Sequence, residues 1–162
     1  MKALIAYASW FGHNQAIAKA LARELASHGV AVTCAPVSAI KVEEVTGLDL
    51  LVLGTYTHAG HANGRLLRLC DTIPRRRLDQ MAVAVFGTQI AEKLETNEPS
   101  GVDDLVAHLE ARGFDIVLPP LRVGLHGAAT FLPGYGIEDE DYGMIKAFAK
   151  DLLEACVPAP LV

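Results

Sequence analysis

Cysteine is scarce in this chain of 162 residues, which has only three, far apart at Cys34, Cys70 and Cys156. No CxxC pair and no cysteine–histidine spacing typical of a metal site accompanies them. We therefore interpret the cysteines as small buried hydrophobic residues and expect no metal.

Long apolar runs and excess positive charge are missing as well. The longest clean apolar run near the start covers residues 3–6, which is too short for a signal-peptide core or a membrane span. We therefore expect a cytoplasmic protein without a membrane span. The net charge of -5 argues against nucleic acid as the main partner.

What the chain does have is an apolar content that suits one folded domain. Hydrophobic residues make up 51% of the sequence, and the mean hydropathy is +0.28, which excludes global disorder. A length of 162 residues suits a single domain, which we expect to cover residues 1–157 and to leave 158–162 as a frayed tail.

Short apolar strands alternate with amphipathic helices along this domain. We predict strands at 2–7, 30–34, 49–54, 81–87 and 115–123. The last of these is interrupted by Pro119 and Pro120, which suit a break or an edge. We predict a first helix at 14–28 with Leu21 and Leu25 inward, and a second at 63–71 with Leu66, Leu67 and Cys70 inward. A third helix runs from a Ser100–Asp103 capping box to Gly113. The last helix is marked by Tyr142, Ile145, Ala149 and Leu152. This alternation predicts an α/β fold with a parallel sheet and right-handed crossovers.

Ligands of such sheets bind beyond the carboxyl ends of the strands, which directs attention to the loops at 8–14, 55–64 and 88–99. The first loop runs directly into a helix, whose free N–H groups favour an anion. Ser9 and Asn14 can add hydrogen bonds there, and Gly12 allows a close backbone approach. Two readings stay open for this loop: a phosphate cradle, or an ordinary turn with a helix cap.

Other phosphate-binding motifs are absent. No GxGxxG follows the first strand, and no GxxxxGK[ST] occurs anywhere in the sequence. The strand ends that would carry a carboxylate cluster for Mg²⁺ hold Tyr7, Ala8, Gly54 and Thr55 instead.

The second and third loops carry flat and short polar side chains that suit a planar ring. The second contributes Tyr56, His58 and His61 among glycines, and the third opens with Gly87, Thr88 and Gln89. Three acidic residues follow, namely Glu92, Glu95 and Glu98, which form either a solvated loop or a docking rim for a basic redox partner. One of His58, His61 and His126 is a candidate proton donor, although a structural or solvated role is the commoner one for a lone histidine.

In these loops the sequence resembles flavodoxins and the flavodoxin domain of flavodiiron proteins. The resemblance covers almost the whole chain, and it rests on four stretches: Ser9-Trp10-Phe11-Gly12-His13-Asn14, Gly54-Thr55-Tyr56-Thr57-His58-Ala59-Gly60, Phe86-Gly87-Thr88, and 113–123 with its Gly-Phe and Pro-Leu-Arg-Val. It implies a flavodoxin-like, doubly wound sheet of order 2-1-3-4-5, with helices on both faces.

The resemblance also implies a non-covalently bound FMN and a role in electron transfer between a reductase and an acceptor enzyme. By this analogy the phosphate lies on the first loop, the ring lies between the second and third loops, and backbone near Ala59-Gly60 contacts ring N5. The implied cofactor-binding residues are Ser9, Trp10, Phe11, Gly12, His13, Asn14, Thr55, Tyr56, Thr57, His58, Ala59, Gly60, Gly87, Thr88 and Gln89. No catalytic nucleophile is visible, and the oligomeric state, a monomer or a homodimer, is left open.

Several positions depart from the family pattern. Asn14 replaces the usual closing threonine, and His13 either adds positive charge to the phosphate site or faces solvent. Trp10 is either a packing residue or a wall beside the flavin. The third loop lacks the tyrosine that many flavodoxins stack on the ring. Two alternatives therefore remain: an FMN-dependent oxidoreductase of the quinone reductase or protoporphyrinogen oxidase type, and a flavin-free binding domain.

Overall fold

A five-stranded parallel sheet forms the centre of the molecule. The computed structural model describes residues 1–127, 131–132 and 137–156. The strands are β1 (Lys2–Tyr7), β2 (Ala31–Pro36), β3 (Leu50–Tyr56), β4 (Ala82–Ile90) and β5 (Leu121–Leu125), in the order β2-β1-β3-β4-β5. The predicted fold class and strand order are confirmed, and the predicted tail at 158–162 lies outside the described residues.

Helices cover both faces of the sheet. One face packs against α1 (His13–Ser27) and α5 (Asp139–Cys156), and the other packs against α2 (Gly64–Thr72) and α4 (Gly101–Arg112). The two cores are separate clusters of apolar side chains, and fully burying one of their valine, leucine, isoleucine or phenylalanine side chains stabilises the fold by about 1.5–3 kcal/mol. Central strands β3 and β4 are buried on both faces, which explains the apolar runs at 50–53 and 82–86.

Helix ends follow the signals in the sequence. The chain leaves α1 through Gly29, which has a φ of 83° and donates its N–H to the carbonyl of Ala26 at 3.0 Å. At the start of α4, Ser100 Oγ accepts from the N–H of Asp103, and the Asp103 carboxylate accepts from the N–H of Ser100. The predicted capping box is therefore confirmed.

The prediction for the fifth strand was wrong in its bounds. The strand begins at Leu121 rather than at residue 115, and it continues to Leu125. Pro119 and Pro120 have no N–H to donate to β4, so regular pairing starts only after them. Before the prolines the chain touches the sheet through an isolated bridge between Ile116 and Val83.

The predicted last helix is confirmed as α5. Tyr142 lies on its exposed side, and Phe148 lies with Ile145 on its buried face. The third loop is shorter than predicted, because β4 runs to Ile90 and a short helix, α3 (Ala91–Glu95), follows it at once. In the described part of the chain no helix combines the length and apolarity that crossing a membrane requires.

Candidate functional site

A cavity of 440 Å³ opens at the carboxyl edge of the sheet, where the three loops meet. Ten of the predicted residues line it: Ser9, Trp10, Phe11, His13, Asn14, Tyr56, Thr57, His58, Thr88 and Gln89. Ile90, Leu125 and Phe131 complete the lining. The cavity has the size and the mixed apolar and polar lining of a cofactor site.

The first loop leaves the start of α1 uncapped. Gly12 precedes the helix with a φ of 88°, a left-handed conformation that L side chains rarely adopt. Among the described residues no side chain caps this helix, and its first turn holds no acidic residue. The first N–H groups of α1 and its positive dipole end therefore remain free for an anion.

Buried polar atoms without partners surround this helix start. Within the described residues, Ser9 Oγ, His13 Nε2 and Asn14 Oδ1 are buried and make no hydrogen bond. Leaving such a group unsatisfied costs about 1–3 kcal/mol, so these atoms are available to bind a polar ligand or water at this loop. The side-chain amide of Asn14 also holds the loop, because its Nδ2 donates to the carbonyl of Ala8 at 2.9 Å.

His13 does not face solvent. Its residue surface is 5% exposed, and it lies on the cavity wall with its ring centroid 6.4 Å from that of Phe11. Of the two interpretations of His13, the one in which its side chain faces solvent is therefore excluded.

Trp10 is a rim residue rather than a packing residue. It is 64% exposed, and its ring stacks nearly parallel on Phe11, with centroids 5.7 Å apart and an angle of 4°. The centroid of the same ring lies 5.9 Å from the ring centroid of Tyr56 and 5.6 Å from that of His58. These four rings form a continuous aromatic wall between the first and second loops.

The second loop makes a tight turn at Ala59 and Gly60. Both residues are left-handed, with φ of 49° and 79°, and the flanking His58 and His61 exchange backbone hydrogen bonds of 3.1 and 2.9 Å. Glycine accepts this conformation freely, whereas in alanine it costs about 1–2 kcal/mol. Strain of this kind tends to collect at functional sites, and Ala59 faces a second cavity beside the first.

Thr57 ties the second loop to its neighbours. Its hydroxyl accepts the N–H of Gly101 at 3.0 Å and donates to the carbonyl of Thr88 at 3.2 Å. A Cβ at Gly101 would lie 2.5 Å from the carbonyl oxygen of Tyr56 and 2.8 Å from that of His61. Sequence reasoning missed Gly101, because its requirement comes from the close packing of α4 on a distant loop.

Thr55 and Gly87, which we expected to contact the cofactor, are fully enclosed and do not line the cavity. The Thr55 hydroxyl donates to the carbonyl of Tyr56 at 2.9 Å and accepts the N–H of Asn63 at 3.1 Å. A Cβ at Gly87 would lie 2.3 Å from Val102 Cγ2. In this structure both residues shape the backbone behind the cavity wall.

The wall opposite the first two loops comes from β4, β5 and the segment after β5. Gln89 and Ile90 reach the cavity from the end of β4. Phe131 is 63% exposed, and its ring meets that of Phe11 edge-on, with centroids 6.1 Å apart. Sequence reasoning missed Phe131, although the same rule about carboxyl strand ends could have been applied to the loop after β5.

Charged groups lie outside the cavity. Glu92, Glu95 and Glu98 are exposed, and Glu98 pairs with Lys93 at 3.4 Å. His61 is exposed and lies 3.6 Å from Asp104, and the exposed His126 does not line the cavity.

The Asp103 carboxylate holds the start of α4 behind the third loop. Partial burial by itself would raise the pKa of Asp103, but hydrogen bonds from Arg122 at 2.7 Å and from Ser100 at 2.8 Å hold that pKa below its usual range. The described segments contain no group of three or more His, Cys, Asp or Glu side chains arranged to hold a metal ion.

Comparison with known proteins agrees with this architecture. Residues 4–150 match the sequence profile of the flavodoxin domain. The chain therefore belongs to the flavodoxin family. No curated protein sequence gives a match.

Solved structures with the same fold include two flavodoxins of Bacillus cereus. Oxidised flavodoxin 2 is 26% identical with a TM-score of 0.75, covering 95% of this chain and 99% of that one. Oxidised flavodoxin 1 is 22% identical with a TM-score of 0.73, covering 95% and 98%. Rubredoxin oxygen:oxidoreductase of Desulfovibrio gigas is 21% identical with a TM-score of 0.74, and the match covers 96% of this chain but 36% of that larger chain.

Proposed function

We propose that this protein binds FMN in the cavity and transfers electrons between protein partners. The observation that carries the proposal is the uncapped start of α1, where the buried Ser9 Oγ and His13 Nε2 find no partner among the residues that the structure describes. Two hydrogen-bond donors and a helix N-terminus together fit a phosphate group. Membership of the flavodoxin family supports the same cofactor.

The remaining lining residues fit a planar ring with polar edges. Three members of the aromatic wall, namely Trp10, Tyr56 and His58, can lie against one face of the ring. Thr57, Thr88 and Gln89 can meet its polar edges, and Phe131 can cover part of the opposite side, where the family tyrosine is missing. Bound FMN supplies one-electron and two-electron redox chemistry, which the protein tunes by stacking, hydrogen bonds and charge.

The turn at Ala59-Gly60 is our candidate for the contact with ring N5. The hydrogen bonds between His58 and His61 close the turn and leave the peptide between Ala59 and Gly60 outside this pairing, where its polar groups can contact a ligand. A left-handed Ala59 keeps that arrangement at a cost in stability, which supports a functional role for the turn.

Exposed groups at the rim support docking of redox partners. Trp10 and Phe131 are both largely exposed, so the cavity opens at the molecular surface rather than in a closed interior. Glu92, Glu95 and Glu98 surround the third loop with negative charge. Partners that carry a basic surface, a reductase as donor and an enzyme as acceptor, fit this rim.

An absorbance scan of the purified protein, followed by titration with FMN, tests the proposal. We expect flavin bands that are released on acid precipitation, and a one-to-one complex when the flavin-free protein is titrated. A protein that shows no flavin bands and produces no change on titration with micromolar FMN would instead be the flavin-free binding domain.

A second candidate function is an FMN-dependent oxidoreductase. One observation favours it: a cavity of 410 Å³ adjoins the first and shares Trp10, Tyr56 and His58 with it. A small planar acceptor such as a quinone could lie there beside the flavin. Steady-state turnover of NAD(P)H and a quinone without added reductase would favour the enzyme, and its absence would favour the carrier.

A further inference from the structure

We propose that His13 is the specificity-determining residue that makes the cavity select a phosphate-terminated flavin over riboflavin, through a proton taken up on binding. This inference rests on the proposed function, and it concerns a histidine at a position where the family pattern does not place one. It predicts that the affinity for FMN depends on pH and that the affinity for riboflavin does not.

The position of His13 directs its imidazole to the anion site. His13 is the first residue of α1 and follows the left-handed Gly12, so it stands where the free N–H groups of the helix converge. The side chain is more than nine-tenths buried and lies on the cavity wall, and its Nε2 is without a hydrogen-bond partner in the described part of the chain. A buried ring nitrogen in this state gains a partner when a ligand arrives.

The surrounding charges favour an anion as that partner. Of the described residues that line the cavity, none is an aspartate or glutamate, and the first turn of α1 also holds no acidic residue. The titratable groups that share the wall are Tyr56 and His58 of the second loop. The end of β4 contributes the neutral Thr88 and Gln89, and Leu125 and Phe131 are apolar. Among the lining residues that the structure describes, no carboxylate therefore competes for a protonated His13.

The chemistry sets the sign of the pH dependence. An imidazole changes its charge between about pH 5 and 8, and a phosphate monoester loses its second proton near pH 6. The bound dianion favours the doubly protonated imidazole, so the complex holds a proton that the free protein has released at high pH. FMN affinity must therefore fall as the pH rises from 6.5 to 8.5. Riboflavin lacks the phosphate, so its affinity does not depend on the proton that His13 holds.

Fluorescence titrations of the full chain with FMN and with riboflavin, at pH 6.5, 7.5 and 8.5, test this inference. For the unmodified protein we expect FMN affinity to fall several-fold over this range and riboflavin affinity to stay constant. For His13→Gln, which keeps a donor but cannot be protonated, we expect FMN binding at pH 6.5 to weaken about tenfold, the size of one charged hydrogen bond, with no remaining pH dependence. The matched control is His28→Gln at the opposite end of α1, which should behave as the unmodified protein does.

The outcomes separate this inference from the proposed function. His13 has no such role if the affinity of the unmodified protein for FMN changes with pH in the same way as its affinity for riboflavin. The same conclusion follows if His13→Gln keeps the pH profile of the unmodified protein. In both cases the cavity is still a flavin site. If the unmodified protein binds neither flavin, the proposed function and this inference both fail. Should His13→Gln not fold, the paired profiles of the unmodified protein decide the question alone.

Discussion

Single residues with unusual backbone conformations shape the first two loops. Gly12 bends the chain into α1 with a φ of 88°, and Ala59 holds a tight turn at the rim with a φ of 49°. A side chain with a Cβ meets steric resistance in this region, which costs about 1–2 kcal/mol per residue. The first position avoids the cost with glycine, whereas the second accepts it.

Gly12→Val is expected to abolish FMN binding while leaving the fold intact. Valine resists the left-handed conformation that places the N–H groups of α1 around the phosphate. Gly29→Val is the matched control, because Gly29 has a similar φ of 83° but lies at the other end of α1, with open space around its Cβ position. Both variants should lose about 1–2 kcal/mol of stability in urea unfolding. The cradle assignment fails if FMN affinity survives in Gly12→Val or is lost equally in Gly29→Val.

Sequence reasoning reached some residues of the site and missed others for physical reasons. Ser9 and Asn14 were predictable because they lie where an apolar strand runs into a helix, and an anion site at such a junction is a local property of the chain. Gly101 and Phe131 were not predicted, because their importance arises from contacts with loops far away in the sequence.

At the scale of elements, the start of α4 fixes the position of the second loop. Gly101 has no Cβ, which allows the carbonyl oxygens of Tyr56 and His61 to approach it closely. Thr57 completes the junction by accepting the N–H of Gly101. The aromatic wall of the cavity therefore depends on a helix that contributes no side chain to it.

Gly101→Ala is expected to destabilise the protein by about 1–3 kcal/mol, since the added methyl group would overlap backbone oxygens that cannot move independently. FMN affinity should fall together with stability, because Tyr56 and His58 shift with the loop. The control is Gly143→Ala in α5, where a Cβ meets open space and helix propensity improves by about 0.5–1 kcal/mol. Thermal unfolding and FMN titration of the two variants check this prediction, which a neutral Gly101→Ala would contradict.

Asp103 makes the stability of this junction depend on acid pH. The pKa of Asp103 is lowered in the folded state. The ionised carboxylate therefore stabilises the protein at pH values above the ordinary aspartate pKa of about 3.9, and this stabilisation is lost as the pH falls through the lowered pKa. Asp103→Asn should therefore be less stable than the parent at pH 7, and the difference should shrink in unfolding experiments carried out below about pH 4. The exposed Asp115→Asn is the control for the loss of one negative charge. A difference that stays constant with pH would contradict this role.

The fifth strand illustrates the limits of pattern reading at this scale. The predicted strand covered 115–123 with an interruption at the prolines, but before Pro119 its contact with the sheet is a single bridge from Ile116. The hydrogen-bonded strand starts beyond the prolines because regular pairing needs backbone donors that proline lacks.

For the molecule as a whole, the alternation of strands and helices was enough to predict a parallel sheet, and the resemblance to flavodoxins supplied the strand order. The structure confirms both. The parallel sheet could be predicted because buried parallel strands have an apolar sequence that few other elements share. The shape of the cavity was not predictable in the same way, since it depends on how three loops and Phe131 pack against one another.

Ligand binding should stabilise the entire domain. At a free FMN concentration of 100 times Kd, the gain is about 2.7 kcal/mol, which corresponds to a rise in Tm of about 5–10 °C for a domain of this size. Differential scanning fluorimetry with FMN and with riboflavin checks this prediction, and the rise should be smaller for riboflavin because it lacks the phosphate. An unchanged Tm with saturating FMN would contradict it.

The most direct measurement is a crystal structure of the protein soaked with FMN. The account predicts phosphate density at the start of α1, within hydrogen-bond distance of Ser9 and His13, and a ring lying against Trp10, Tyr56 and His58. A cavity that stays empty at saturating FMN, or a flavin bound with its phosphate away from the first loop, would contradict it.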